Sequence, residues 1–155
     1  MQLVDDAVLR RVKHLPAAQH RIIDELHRSD SVLKGRKALV VDDDARNVYA
    51  LATVLEDHGM TVVSANSGID ALSLMSTQSL DIVLMDIMMP EMDGISTMRE
   101  ARKLPSSRDL PIIAVTAKAM KGDRERCIEA GAWDYLSKPV DSQQLLSVLR
   151  SWLYR

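Results

Sequence analysis

Phenylalanine is absent, aromatic residues make up 3% of the 155 positions, and there is a single cysteine, Cys127. So few rings leave no platform on which nucleic-acid bases could stack. One thiol cannot build an internal disulfide framework, and it fits a reducing compartment. An excess of one charge is missing too. Twenty Lys and Arg against 22 Asp and Glu leave a net charge of −2, where a nucleic-acid binder shows a strong basic excess. No apolar run approaches the roughly 18 residues of a membrane-spanning helix. The first stretch, "MQLVDDAVLRRVKHL", lacks the charged-then-apolar order of a secretion signal. Together these absences point away from nucleic acid and direct membrane contact, toward a domain in the cytoplasm or facing it.

What is present is ordinary in bulk and informative in pattern. Hydrophobic residues at 46% and charged residues at 27% are normal for a globular domain, and the nine methionines serve as adaptable core filler. Residues 1–35 contain no strand-like run. Val4, Val8, Val12 and Leu15 recur at helical spacing, and Ile22, Ile23 and Leu26 follow Pro16. Because proline breaks a helix interior, this reads as two helices in a helical extension or linker. "SDSVLKGRK" reads as a polar hinge into a second region, 36–155.

In that region apolar, β-branched runs occur at 38–41, 61–63, 81–85 and 111–115, with a weaker one at 133–136. Helical stripes separate them: Ala45, Val48, Ala52 and Leu55; Gly68, Ala71, Leu72 and Met75; Ile95, Met98 and Ala101; Leu145, Leu149 and Trp152. Gly59 is placed to stop the first of these helices. Five strands alternating with five helices predict βαβ crossovers and a doubly wound parallel sheet with helices on both faces. In such sheets the site lies beyond the C-terminal ends of the strands, where strand order reverses.

The polar residues fall at those ends. The first strand runs into Asp42, Asp43 and Asp44, the third into Asp86, the fourth into Thr116, and Lys138-Pro139 follows the fifth. Three carboxylates brought together raise one another's pKa unless a cation joins them. Hard oxygen donors with room for water suit Mg2+, and Mn2+ by the same chemistry. An aspartate beside such an ion can attack phosphorus as a nucleophile, with a hydroxyl and an ammonium on the phosphoryl oxygens. Asp86 is the candidate nucleophile, and Thr116 and Lys138 are the candidate phosphoryl contacts.

"VVDDDARN", "DIVLMDIMMPEMDG", "IIAVTAKAM" and "GAWDYLSKPVD" resemble, in order and spacing, the four signature stretches of the response-regulator receiver domain of two-component signalling. The resemblance covers about residues 36–154. It implies a flavodoxin-like sheet of strand order 2-1-3-4-5. Asp86 is then the phosphoacceptor, Asp42, Asp43, Asp86 and the backbone carbonyl of Met88 hold Mg2+, and Thr116 and Lys138 take the phosphoryl group. It also implies Tyr135 as the switch aromatic beside Thr116, and a cis peptide at Lys138-Pro139. A domain of this kind catalyses only its own phosphorylation and dephosphorylation. Its donor or acceptor is a histidine kinase or a histidine phosphotransfer domain. Met88 and Lys118, two residues past Asp86 and Thr116, border the attacking water's path, so slow self-hydrolysis is expected. A haloacid-dehalogenase-type phosphatase needs a second acid where Met88 stands, which argues against that class.

Plainer readings apply to several neighbours. Asp44 reads as the N-cap of the helix beginning at Ala45, and Glu91 and Asp93 in "PEMDG" as turn residues. Cys127 reads as a small apolar helix residue. Tyr135 would be equally buried as simple core. The charges of "KAMKGDRER" read as a solvated helix face. His14, His20, His27 and His58 lack metal spacing. No output domain is expected after the last helix. Residues 1–35 are similar to the linker before the terminal receiver of a hybrid sensor kinase, which favours that context, with the domain as the cytosolic part of a membrane-bound sensor. A free-standing single-domain regulator is the alternative, and a phosphorylation-independent docking module ranks below it. The apolar stripes of the N-terminal helices also suggest a homodimer contact.

Overall fold

The structure is a computed structural model and describes residues 31–117 and 122–154. The stripes over 1–30, and Lys118, lie outside the described residues. Five strands, β1 (Lys37–Val41), β2 (Thr61–Ala65), β3 (Ile82–Asp86), β4 (Ile112–Thr116) and β5 (Asp134–Ser137), alternate with α1 (Ala45–Asp57), α2 (Gly68–Thr77), α3 (Gly94–Ala101), α4 (Asp123–Ala130) and α5 (Ser142–Leu153). The sheet is entirely parallel in its pairings and ordered β2-β1-β3-β4-β5, the order the resemblance implies. A short 3-10 turn, Pro105–Ser107, has no counterpart in the sequence reading.

Strand burial explains why the apolar runs are continuous rather than alternating. Every residue of β3 and β4 is buried, because both faces of a central parallel strand carry helices. Alternate residues go to opposite layers. Leu39, Val41, Val83, Met85, Ile112 and Ala114 pack with α2, α3 and α4. Ala38, Val40, Ile82, Leu84, Ile113 and Val115 pack with α1 and α5. Full burial of each Val, Leu, Ile or Met among them stabilises by roughly 1.5–3 kcal/mol, so two well-filled layers hold the strand ends rigidly. The edge strand β2 is less covered, with Thr61 and Ser64 exposed, as its outer position dictates.

Helix ends follow local chemistry. Asp44 caps α1 by accepting from the Arg46 N–H at 2.9 Å, Ser67 caps α2, Asp93 caps α3 and Asp141 caps α5. Gly59, at φ +84°, ends α1: its N–H donates to Glu56 at 3.0 Å and that of Met60 to Leu55 at 3.1 Å. That is the paired closure a left-handed residue permits, and the buried Leu55 and Met60 join the same core layer.

Several boundaries differ from the sequence reading. β3 and β4 each begin and end one residue later than the apolar runs at 81–85 and 111–115, and Asp86 and Thr116 end their strands as the sequence reading had them. β5 is also shifted by one, to 134–137, and β2 extends to Ala65. The hinge reading of "SDSVLKGRK" is corrected in part. Residues 31–33 are helical, Leu33 is fully buried and Val32 packs against the α1/α5 layer. Two apolar residues inside a polar stretch were enough to anchor it.

Candidate functional site

β1 and β3 are adjacent and in register, Val41 beside Met85, so the residues that follow or end them meet at one lip of the sheet. The order reverses there, with β2 on one side of β1 and β3, β4 and β5 on the other. Carboxylate oxygens of Asp42, Asp43 and Asp86 lie within 4.8 Å of one another. Asp42 and Asp86 are each only 3% exposed, whereas Asp43 faces solvent. The chain after β5 brings in Lys138, whose Nζ lies 3.1 Å from Asp42 Oδ2 and 3.4 Å from Asp86 Oδ1.

Backbone contacts fix the two buried carboxylates. Asp42 Oδ1 accepts from the Asp44 N–H at 2.9 Å, and Asp86 Oδ1 accepts from the Met88 N–H at 3.2 Å. Burial, then the neighbouring Asp42 charge, push Asp86 above the usual carboxylate range, and Lys138 offsets part of this. For Lys138 burial works against the charged form. The hydrogen bond to Asp42 and the charges of Asp86 and Asp42 outweigh it, and the ammonium is held above its ordinary value. One ammonium thus balances two buried carboxylates, leaving a local surplus of negative charge and hard oxygen donors. That donor set suits a hard divalent cation bound through carboxylates with waters retained.

Thr116, 4% exposed, ends β4 one strand over from Asp86. Its carbonyl accepts from the Lys138 N–H at 2.7 Å, which ties the lysine's backbone to the lip. The Lys138-Pro139 peptide is cis. Tyr135 lies on β5 beside Ala114, packed against the α2/α3/α4 layer. Burial, then the charges of Asp123 and Cys127, raise its phenol pKa. The Met88 side chain is 56% exposed at the mouth of the site. Beside it, a cavity of about 170 Å3 is lined by Met88, Thr116, Asp123, Arg126 and Cys127 among others. Cys127 itself is buried, and burial, then the Asp123 charge, raise its thiol pKa.

Two contributors escaped the sequence reading. Gly94 sits so close under β3 that a Cβ there would meet the Asp86 carbonyl oxygen at 2.3 Å and Ile87 Cα at 2.8 Å. The signal was visible as a glycine directly after a capping aspartate. Arg102 is the second. Its guanidinium donates to the carbonyls of Gly131 at 3.0 Å, Ser107 at 2.7 Å and Leu110 at 2.7 Å, clamping α3 to the strand-start end of the sheet. Nothing in the local sequence distinguishes it from a surface arginine. Among the described residues no helix is long and apolar enough to cross a membrane.

Comparison with known proteins gives one consistent result. The family model for the response regulator receiver domain matches residues 38–150. Sensor histidine kinase GacS of Pseudomonas protegens is 38% identical over 119 residues, covering 75% of this chain but only 13% of that kinase. Protein PilH of Pseudomonas aeruginosa is 38% identical over 117 residues, covering 76% of this chain and 97% of PilH. Among solved structures, the receiver domain of a Pseudomonas aeruginosa PAO1 sensor histidine kinase superposes with a TM-score of 0.73 at 38% identity, covering 78% of this chain and 99% of that one. A magnesium ion is coordinated in its active site cleft.

Proposed function

We propose, from the premise that this chain belongs to the response regulator receiver domain family, that it is a signalling switch whose phosphoacceptor is Asp86. The observation that carries this reading is the buried Asp86 carboxylate at the lip of the sheet, with two further carboxylates and the Lys138 ammonium around it. Asp42, Asp43, Asp86 and the Met88 carbonyl would hold Mg2+, or Mn2+ in its place. When bound, the ion neutralises charge on the phosphoryl oxygens.

An Asp86 oxygen attacks the phosphorus of a phosphohistidine. The P–N bond breaks, its electron pair returns to the imidazole, and an aspartyl phosphate results. Lys138 moves from its carboxylate partners to a phosphoryl oxygen, and the Thr116 hydroxyl donates to another. Thr116 drawn toward the phosphate lets Tyr135 follow, which changes the face built by α4, β5 and α5. The domain acts on no other substrate. Intact mass after incubation with acetyl phosphate and Mg2+ tests the acceptor. One added phosphoryl group is expected, abolished by Asp86→Asn and by chelation. No adduct after rapid quenching would leave a docking module only.

The phosphoryl donor or onward acceptor is a histidine kinase or a histidine phosphotransfer domain. We place the domain as the terminal receiver of a hybrid histidine kinase, supported by the match to GacS, of which this chain spans 13%. The match across 97% of PilH favours the second reading, a free-standing regulator. Immunodetection in the source cells decides: a species of several receiver lengths supports the first, and one of this chain's own size the second.

A further inference from the structure

Leu33 is fully buried and Val32 partly so, both against the α1/α5 layer. The chain enters that face between the C-terminal ends of its two helices. Gly35 N–H donates to the Gly59 carbonyl at 2.9 Å, and Arg36 Nη2 to the Leu153 carbonyl at 3.2 Å. Farther along the same face, toward the acidic site, a furrow of about 520 Å3 lies open between α1 and the start of α5. Its walls are Ala50, Leu51 and Val54 on one side and Pro139, Val140 and Leu145 on the other. They are mostly apolar, and Ala50 is exposed.

The preceding sequence has a matching pattern. At 3.6 residues per turn Ala18, Ile22, Leu26 and Ser29 share one face with Leu33, while Arg21, Asp24 and Arg28 fall opposite. Pro16 suits the entry to such a segment. The apolar stripe is therefore in phase with a side chain already seated on the α1/α5 face. Its reach also fits. Counting 1.5 Å per residue back from Leu33, Leu26 lies about 10 Å and Ile22 about 16 Å along the face. The neighbouring α1, of 13 residues, spans about 20 Å. Ile22 and Leu26 thus come level with the furrow.

We propose that the furrow is the seat of this chain's own residues 17–30, with Ile22 and Leu26 filling it within one molecule. The furrow's rim includes Lys138 and Pro139.

The test uses the full chain. Hydrogen exchange of α1 and the start of α5 is compared between the wild type and an Ile22→Asp/Leu26→Asp variant. Exchange at least severalfold faster in the variant is expected, while equal rates overturn the proposal. Independently, a Leu26→Cys/Ala50→Cys variant is oxidised at low protein concentration, and a disulfide within the monomer is expected. Disulfide-linked dimers would assign the furrow to a second copy and overturn the proposal, as would no cross-link at all. Acetyl phosphate loading of the Ile22→Asp/Leu26→Asp variant separates the two readings. Loading equal to wild type shows that the fold and site are intact, and loading absent from both proteins overturns the Asp86 assignment alone.

Discussion

Burial, reinforced by the Asp42 charge, makes ionised Asp86 a source of strain in the metal-free protein, and Lys138 relieves only part of it. A carboxylate whose folded pKa is raised contributes stability that is complete below its unfolded pKa, about 3.9, and is lost as pH rises through the folded value. Without divalent ions, Asp86→Asn should therefore melt a few degrees above wild type at neutral pH, the difference vanishing at about pH 3, below the unfolded pKa. Thermal melts across that range check the sign, and a variant less stable at neutral pH would refute it. Arg102 poses the opposite case. Its guanidinium serves three carbonyls, two in the α3–β4 connection and one after α4, and lies 6.0 Å from the Trp133 ring centroid. Arg102→Ala should cost about 3 kcal/mol in denaturant unfolding. Arg102→Lys should recover little of that, because a point charge cannot reproduce the planar fork.

At the scale of elements, the β3–α3 connection decides where Asp86 points. The Gly94 N–H donates to the Ile87 carbonyl at 3.1 Å, and backbone atoms occupy the space a side chain at 94 would need. Backbone cannot give way as the tip of a side chain can, so Gly94→Ala must displace the end of β3 or the start of α3. Overpacking of this kind costs about 1–3 kcal/mol. Acetyl phosphate loading, measured well below the melting temperature, should fall more than stability does. Full loading in a destabilised Gly94→Ala protein would show that Asp86 tolerates the shift. By contrast Asp44, at the other lip of the site, works through its own helix by capping α1.

Across the whole molecule, a ligand that joins β1 to β3 stabilises the fold as one unit. An ion held by Asp42, Asp43 and Asp86 should stabilise the fold increasingly with its concentration, by about 2.7 kcal/mol at a hundred times its dissociation constant. For a chain of this size that is a shift of about 5–10 °C. Calorimetry at increasing Mg2+ reads it directly. Asp43→Asn, altering an exposed candidate ligand, should keep the metal-free melting temperature and flatten the dependence. An unchanged dependence would remove Asp43 from the ligand set.

Much of this protein was legible before folding. Apolar runs with no alternation announced strands covered on both faces, and helical stripes announced their partners. Asp42, Asp86, Thr116 and Lys138 fell at the strand ends or one residue past them, so the architecture alone indicated where a site would form. Local periodicity encodes which face of an element is apolar, and that is settled within a few residues. Distances between elements are not local. That Lys138 bridges Asp42 and Asp86, that Asp42 is buried while Asp43 is not, and that β3 includes Asp86 all depend on the register of β1, β3 and β4. The hold of Arg102 on Gly131 and the burial of Leu33 likewise arise from segments far apart in sequence, and the crowding at Gly94 from the path the β3–α3 connection takes. Composition and pattern therefore determined the layers and the chemistry available. Only the packed structure decided which groups touch, because contact depends on how several covered surfaces fit at once.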